Sequence, residues 1–367
     1  MLDRELDKFW ENDEKAHRDN CFAVESQIAF GIRMSDECVF WELGEEGEPW
    51  GYTPRERRLD LNRRYNDKAE KIVGRRLLRE ELPPEDAAFP YVKRIGEVFG
   101  SEYALENGTE WLKKSIYDEK QLEQVLDRVE KLDLRDFMLP PNWESEKKRI
   151  YEQYGLLPPR MHWVRGPVTL ACSLMGTTEF LYFLADEDEL AERFSSVMAD
   201  VIIKMAEIMD AEAGRTGADE RGFGFADDNC CLLSPALYKK FGYPVLKKVF
   251  ARFSPDEGDE RFQHSDSAMG HLLPLLGEMN LTGCNFGPTV LVPEIRKYLP
   301  KARIDGCIAP FTFMHNDEKQ LTYETLRDIE AGKQYGGVNI WTAGSINNGS
   351  SLKSMRLMMD LVWDNQR

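Results

Sequence analysis

The sequence predicts an α/β fold, namely a (β/α)8 TIM barrel that carries a mainly helical N-terminal extension. From about residue 100 onward, short apolar runs alternate with segments of helical periodicity. A dozen or more helical residues between successive short strands is typical of parallel βαβ units. A doubly wound open sheet is the structural alternative, but no GxGxxG motif follows the first predicted strand. The closed barrel is therefore the predicted architecture.

The individual elements follow from apolar spacing and from residues typical of helix ends. Apolar residues at spacings of three and four predict a helix over 187–213, which Gly214 and Gly217 end. Ser234 and Pro235 open another helix, because serine caps a helix N-terminus and proline suits its first turn. The predicted strands are 160–166, 222–228, 261–266, 281–288, 302–310 and 338–345. The predicted helices are 119–133, 187–213, 234–250, 293–300, 322–336 and 351–364, with a further helix that ends near Met279.

The N-terminal quarter of the chain differs from the rest. It is charged, carries scattered aromatic residues and shows little alternation of strand and helix, and the Pro-rich segment LPPEDAAFP closes it. We therefore divide the chain into an N-terminal extension over 1–95, packed on the barrel, and a catalytic barrel over 96–367.

Composition limits the classes of function. The 367 residues are 42% hydrophobic and 31% charged, as in soluble globular proteins. The net charge of −17 argues against a nucleic-acid partner, because phosphate binding needs a basic field. No apolar run approaches the length of a membrane span, and LDRELDKFWENDEK does not resemble a signal peptide, so we expect a cytoplasmic protein without a membrane partner. Seven unevenly spaced cysteines without a CxxC pair indicate reduced thiols.

One local stretch, from Arg55 to Arg79, is densely basic. It is either a solvated helix face interspersed with acidic residues or a docking patch for an acidic protein or a cofactor phosphate. We favour the solvated face.

The carboxyl ends of the predicted strands carry the candidate catalytic residues, because barrel enzymes place their chemistry there. His264 and Asp266 are two residues apart in a strand and so share a face, where they could bind one metal or one substrate. Asp227 and Asp228 follow another strand. Either can cap the next turn, whereas a carboxylate at an apolar mouth would have a raised pKa and act as a proton donor or base. We take Asp227, His264 and Asp266 as the catalytic candidates.

Thiols and aromatic residues near the same strand ends are further candidates. Cys284 and Cys307 are either small buried hydrophobic residues or ligands that complete a tetrahedral site with His264. We take Cys307 as a predicted metal ligand beside His264 and Asp266. His315 lies in a loop expected to overhang the mouth, as a ligand or an acid. The side chains expected to line a pocket for a flat apolar substrate are Asn285, Phe286, Phe311, Phe313 and Met175.

A family resemblance rests on four segments in order, GPVTLACSLMG, FADDNCCLLSPALYKKFGYPVLKKVF, HSDSAMGHLLPLLGEMNLTGCNFGP and GSINNGSSLKSMRLMM. Together they resemble the uroporphyrinogen decarboxylase superfamily over roughly residues 90–365. The resemblance implies a (β/α)8 barrel, in agreement with the alternation of strands and helices. It also implies one of two chemistries, which are cofactor-free decarboxylation of a porphyrin and methyl transfer between a small molecule and a corrinoid protein.

Departures from the motifs of this superfamily favour methyl transfer. The N-terminal arginine motif of the decarboxylase, which ends in Gln-Ala-Gly-Arg, is absent. The thiol-methylating branch carries His-x-Cys where this chain has His264, Ser265 and Asp266, and a second cysteine where this chain has Ser345. Oxygen donors in place of soft thiolates point to a harder, oxygen-centred substrate. HSDSAMGHLLP and YNDKAEKIVGRRLL look like the subgroup that demethylates methoxylated aromatics.

The resemblance thus implies a methyltransferase that moves a methyl group from a methoxylated aromatic, or a similar small methyl ether, to the cob(I)alamin of a separate corrinoid protein. Zinc held by His264 and Asp266, or the acid Asp227, would assist the leaving oxygen. Cobalamin is expected on the partner, because no Asp-x-His-x-x-Gly motif occurs here. A homodimer is compatible with the sequence. The alternatives are a metal-free, uroporphyrinogen-decarboxylase-like lyase acting on a carboxylated substrate, and a non-catalytic barrel that binds a tetrapyrrole or corrinoid.

Overall fold

A computed structural model describes residues 1, 5–47, 51–106 and 109–366 of the chain. Its described strands are β1 (Ala29–Phe30), β2 (Tyr103–Glu106), β3 (Thr109–Leu112), β4 (Trp163–Arg165), β5 (Phe223–Ala226), β6 (Arg261–Ser265), β7 (Gly283–Phe286), β8 (Arg303–Ile308) and β9 (Val338–Thr342). Its helices are α1 (Leu6–Ala16), α2 (Cys38–Leu43), α3 (Arg55–Val73), α4 (Ile95–Val98), α5 (Glu119–Val129), α6 (Leu134–Met138), α7 (Trp143–Tyr154), α8 (Pro167–Met175), α9 (Thr177–Asp186), α10 (Asp188–Glu212), α11 (Pro235–Lys240), α12 (Gly242–Phe253), α13 (Leu273–Gly277), α14 (Val292–Tyr298), α15 (Pro310–Met314), α16 (Glu318–Tyr335) and α17 (Leu352–Asp364).

Seven of these strands form one sheet, in the order β1-β9-β8-β7-β6-β5-β4. Its strands run parallel, so that Ala29 pairs with Asn339 between β1 and β9, and Trp163 pairs with Gly224 between β4 and β5. Helices connect the successive strands from β4 to β9, as in parallel βαβ units. β2 and β3 form a separate antiparallel hairpin. The predicted fold class is confirmed, and the chain is an α/β protein of the TIM-barrel type.

The predicted strands and helices are present, with one difference in a helix. Each of these strands is shorter in the structure than the run of residues that predicted it. Instead of one continuous helix, residues 234–250 lie in two helices, α11 and α12, which meet at Phe241. Gly242 starts the second helix against the ring of Tyr238, and a Cβ at Gly242 would come within 2.5 Å of that ring. Helical periodicity does not reveal such a local contact.

The structure contains three strands that the sequence did not predict, namely β1, β2 and β3. β1 lies inside the predicted N-terminal extension and has two residues, too few for a periodic pattern. The segment YALE of β2 is half-buried or exposed along its whole length, so it lacks a clean apolar face. The predicted extension therefore supplies a strand to the sheet through β1. The predicted boundary between residues 95 and 96 stays a prediction.

The chain forms two compact units. The first comprises residues 1–82, 264–273 and 280–367, and contains β1, β7, β8 and β9 with helices α1–α3 and α14–α17. The second comprises residues 83–263 and 274–279, and contains β2 to β5 with helices α4–α12.

No single helix of the described chain is both long and apolar enough to cross a membrane. The consecutive helices α8 and α9 reach the required length and composition only when taken together, and they bend by 108° at their junction.

The basic stretch coincides with α3 and the turn after it, and several of its charges are paired. Arg64 lies 2.5 Å from Glu45, and Lys68 lies 2.6 Å from Glu42. Pairs with one partner near the surface contribute little to stability, but they neutralise the local positive charge. The arrangement supports the solvated helix face over the docking patch.

Candidate active site

His264 lies near the end of β6 and is half-buried. Its ring nitrogen Nδ1 is 2.8 Å from the side-chain oxygen Oδ1 of Asn285, on β7. Asn285 is itself buried. The sheet therefore holds an imidazole against a buried amide at the place where the sequence predicts chemistry.

The amide group of Asn285 determines which nitrogen of His264 carries the proton. Asn285 Nδ2 donates to the backbone oxygen of Thr342 at 2.9 Å and also to that of Asp305. Because carbonyl oxygens only accept, the NH₂ group must face them and Oδ1 must face His264. His264 therefore donates from Nδ1, which leaves Nε2 as the nitrogen that can carry a lone pair. A lone pair held in a fixed direction suits a metal ligand or a general base.

Buried polar groups support Asp305, whose backbone oxygen accepts from Asn285. Arg303 Nε donates to both carboxylate oxygens of Asp305, at 2.9 and 3.1 Å. Asn339 Nδ2 donates to Oδ1 of the same carboxylate at 2.8 Å. Charge-assisted bonds such as those from Arg303 are shorter and stronger than neutral ones. The position of Asn285, and through it that of His264, therefore rests on a fixed framework.

Asp266 directly follows β6 and is exposed. One of its carboxylate oxygens lies within 4.8 Å of a ring nitrogen of His264, so the two can reach one ion or one substrate atom. Two glycines leave room for this turn. A Cβ at Gly287 would come within 2.6 Å of the backbone oxygen of Ser267. A Cβ at Gly344, where φ is +121°, would lie 3.1 Å from the Cβ of Asp266.

Asp227 directly follows β5 and is fully buried. Its Oδ1 accepts a hydrogen bond of 2.7 Å from the backbone N–H of Thr169, and its Oδ2 lies 3.4 Å from the backbone nitrogen of Val168. Both N–H groups belong to the first turn of α8, where they have no partner inside the helix. Gly166 permits this approach, because a Cβ there would lie 2.2 Å from the Cβ of Asp227.

The environments of Asp227 and Asp228 differ, although the residues are adjacent. Burial raises the pKa of Asp227 to about 6, against the opposing effect of the hydrogen bond from Thr169. Its carboxylate meets the positive end of the α8 dipole, which favours a structural role over the proton donor that the sequence suggests. Asp228 is half-buried and is the more accessible of the two.

Comparison with known proteins gives the family. Residues 103–363 match the family described as Uroporphyrinogen decarboxylase (URO-D). The chain belongs to this family. A solved structure, the "methyltransferase from Methanosarcina mazei", is similar with a TM-score of 0.58 and 15% sequence identity, over 96% of this chain and 97% of that one. At that identity the likeness concerns the fold alone. No curated protein matches the chain.

The pocket residues predicted for this member of the uroporphyrinogen decarboxylase family fall into two groups. Met175, Phe286 and Phe313 are buried and pack in the core. Phe311 is 65% exposed, and its ring centroid lies 6.3 Å from that of His315, with an angle of 25° between the planes. Phe311 belongs to α15, which follows the carboxyl end of β8. Phe311 and His315 thus form an exposed aromatic surface at that edge.

The two strand thiols of this family member are buried. Cys284 and Cys307 are almost fully enclosed, and burial raises the pKa of both thiols well above the ordinary value. The thiolate is the form that binds metal, so both positions favour packing over ligation. The backbone N–H of Cys307 also donates to Asp328 at 2.7 Å. Of the predicted metal ligands, the structure brings together His264 and Asp266.

Two supporting roles in this family member escape the sequence analysis. Asn285 is expected there to bind substrate, but in the structure it orients His264, from which it is separated by 21 positions. No local pattern links the two residues. Thr169 binds Asp227, and here a signal exists, because a proline directly follows the predicted strand that ends at Gly166 and so marks a helix N-terminus at a strand end.

Proposed function

We propose that this protein is a methyltransferase that moves a methyl group from a methoxylated aromatic, or a similar small methyl ether, to the cob(I)alamin of a separate corrinoid protein. The observation that carries the proposal is the orientation of His264 by Asn285, with the lone pair on Nε2 and the carboxylate of Asp266 nearby. Family membership supports chemistry of this superfamily, and the shared fold with a methyltransferase agrees with it.

The proposed metal is zinc, held by His264 through Nε2 and by Asp266. Imidazole and carboxylate are ordinary zinc ligands, and a catalytic site keeps a position for the substrate. When bound, zinc would polarise the ether oxygen as a Lewis acid. Donors without thiolate suit an oxygen-centred substrate better than a thiol.

The residues of the chain have separate tasks in this reaction. The bond between the methyl carbon and the ether oxygen breaks as the methyl carbon bonds to cobalt, and the leaving phenolate takes up a proton from water. Asn285 prevents rotation of the His264 ring, so that Nε2 keeps its direction. Asp227 is enclosed at the amides of α8, so it acts by fixing the turn before Asp228. Phe311 offers its exposed ring to an aromatic substrate.

Formation of methylcobalamin tests the reaction. The purified protein is incubated with cob(I)alamin under reducing conditions and with a series of methoxybenzoates, and the methylcobalamin absorbance is followed. We expect formation that depends on both protein and methyl donor. Absence of methylcobalamin with every methyl ether tried would reject the proposal.

Metal analysis tests the ligands independently of turnover. We expect purified wild-type protein to contain zinc, and His264→Ala and Asp266→Ala to lose most of it. His271→Ala is the matched control, because His271 is an exposed histidine close to the same strand end. Zinc retained in both ligand variants would contradict the assignment.

Metal-free decarboxylation is the second candidate, because the family takes its name from that activity. It predicts release of carbon dioxide from a carboxylated substrate and no effect of chelators. A chelator that abolishes methyl transfer, and whose effect zinc reverses, separates the two candidates.

A further inference from the structure

A cysteine, a histidine and an aspartate lie in line at the end of α1, apart from the residues described above. His17 Nδ1 is 3.7 Å from the sulfur of Cys21, and His17 Nε2 is 3.5 Å from a carboxylate oxygen of Asp13. Asp13 and Cys21 are buried, whereas 30% of the His17 side chain is exposed. A thiol, an imidazole and a carboxylate in successive contact are the groups from which activated nucleophiles are built.

Asp13 is held in place independently of His17. Its Oδ1 accepts a hydrogen bond of 2.6 Å from the backbone N–H of Phe30, on β1. The nearby Asp13 carboxylate, followed by the Cys21 thiol, raises the pKa of His17 to about 10. This direction favours the protonated imidazole, whose Nδ1 faces the sulfur of Cys21.

The chain after α1 turns back and brings Cys21 against His17. Asp19, Asn20 and Cys21 all have positive φ, at 48°, 52° and 66°. Asn20 Nδ2 donates to the backbone oxygen of Thr282 at 2.7 Å. The N–H of Gly337 donates to the backbone oxygen of Cys21 at 3.1 Å. Thr282 immediately precedes β7 and Gly337 immediately precedes β9, so the turn lies at the amino ends of these two strands.

Two guanidinium groups lie beside the residues that flank Cys21, whose own side chain packs with Ala16 and Ala29. Arg303 Nη1 lies 3.5 Å from Oδ1 of Asn20, the residue before Cys21. The guanidinium of Arg296 lies 4.9 Å from the ring centre of Phe22, the residue after it. Reactive cysteines lie in electropositive surroundings, and His17 is the imidazole in contact with the Cys21 sulfur.

We propose that Cys21 is a peroxide-reactive thiol, and so a modification site at the edge of the sheet opposite His264. The Cys21 thiolate attacks one oxygen of hydrogen peroxide, and an S–O bond forms as the O–O bond breaks. The leaving hydroxide takes a proton from His17 and departs as water. The sulfur is oxidised to a sulfenic acid and the peroxide is reduced. Asp13 keeps the imidazolium directed at the sulfur.

The wild-type protein tests the proposal without any variant. The reduced full chain is treated with a small excess of hydrogen peroxide in the presence of dimedone, which traps sulfenic acids, and each cysteine is quantified by peptide mass spectrometry. We expect Cys21 to be trapped first of the seven cysteines, although Cys231 is more exposed. Trapping of Cys231 or any other thiol ahead of Cys21 overturns the proposal.

A variant of His17 separates activation from accessibility. His17→Gln removes the positive charge and keeps a polar side chain, so trapping of Cys21 should slow about tenfold or more, with Cys231 as the internal control. Asp13→Asn should slow it less. An unchanged or faster rate at Cys21 in His17→Gln overturns the role of His17. Since the wild-type selectivity is measured separately, it remains decisive even where a variant fails to fold.

Discussion

Two strand-end carboxylates of the molecule, one in each compact unit, follow similar sequence patterns and reach opposite environments. Asp227 after β5 is fully buried, whereas Asp266 after β6 is exposed. The first turn of α8 offers two N–H groups to Asp227, while Gly287 and Gly344 keep the turn at Asp266 free of side chains. The role of a strand-end carboxylate is therefore decided by the helix or loop that packs against it.

The difference in environment gives Asp227 a supporting role and leaves His264 and Asp266 as the residues suited to chemistry. Asp227 satisfies helix amides, so removal of its charge should chiefly change the stability of the fold. His264 and Asp266 lie side by side with the imidazole already oriented, so loss of that orientation should chiefly change ligand binding.

Asp227→Asn should change how stability depends on pH. The folded pKa of about 6 lies above the ordinary 3.8, so this group stabilises the fold fully below pH 3.8 and loses that contribution as the pH rises through 6. The full contribution is about 3 kcal/mol, of which about 2 kcal/mol is lost between pH 4.5 and 7.5. Chemical denaturation should therefore show Asp227→Asn gaining about 2 kcal/mol relative to wild type over that range.

Asp228→Asn is the matched control for this pH effect. Because Asp228 is half-buried whereas Asp227 is fully buried, the Asp228 variant should keep most of the wild-type pH dependence. Equal pH dependence in wild type and Asp227→Asn would show that the Asp227 carboxylate is not the buried titrating group.

The sequence is sufficient for the βαβ units, because their long helices and apolar strands carry periodic patterns. It does not predict β1, whose two residues depend on pairing with β9, nor the break at Phe241. His264 and Asp266 are recognisable from their spacing in one strand. The link from His264 to Asn285 crosses between strands, and the burial of Asp227 depends on α8, so neither is visible in local sequence.

Asn285→Ala should weaken metal binding without removing a metal ligand. The variant takes away the acceptor for His264 Nδ1, so the ring loses its fixed tautomer and direction. Loss of such a supporting partner typically lowers metal affinity 10- to 100-fold, and we expect a decrease of about that size in zinc titrations. Stability should also fall by about 1–3 kcal/mol, because two backbone oxygens lose their donor.

Asn339→Ala distinguishes orientation from general destabilisation. Asn339 is also a buried asparagine, but it donates to the Asp305 carboxylate and not to the His264 ring. Its variant should lose stability while zinc affinity stays within about threefold of wild type. Similar losses of zinc affinity in both variants would place the cause in the framework, and would contradict a specific role for Asn285.

Phe311→Ala should have the smallest effect and should act on the substrate alone. Because Phe311 is 65% exposed, its removal should change stability by less than about 0.5 kcal/mol. Loss of an aromatic contact worth about 0.5–1.5 kcal/mol should raise KM for a methoxylated aromatic roughly two- to tenfold, with kcat unchanged, since ring stacking binds substrate and transition state alike. Tyr323→Ala is the control, because it removes another exposed aromatic ring, on α16. A fall in kcat instead of a rise in KM would mean that Phe311 contributes to the reacting geometry, and the exposed aromatic surface at the end of β8 would then belong with His264 and Asp266.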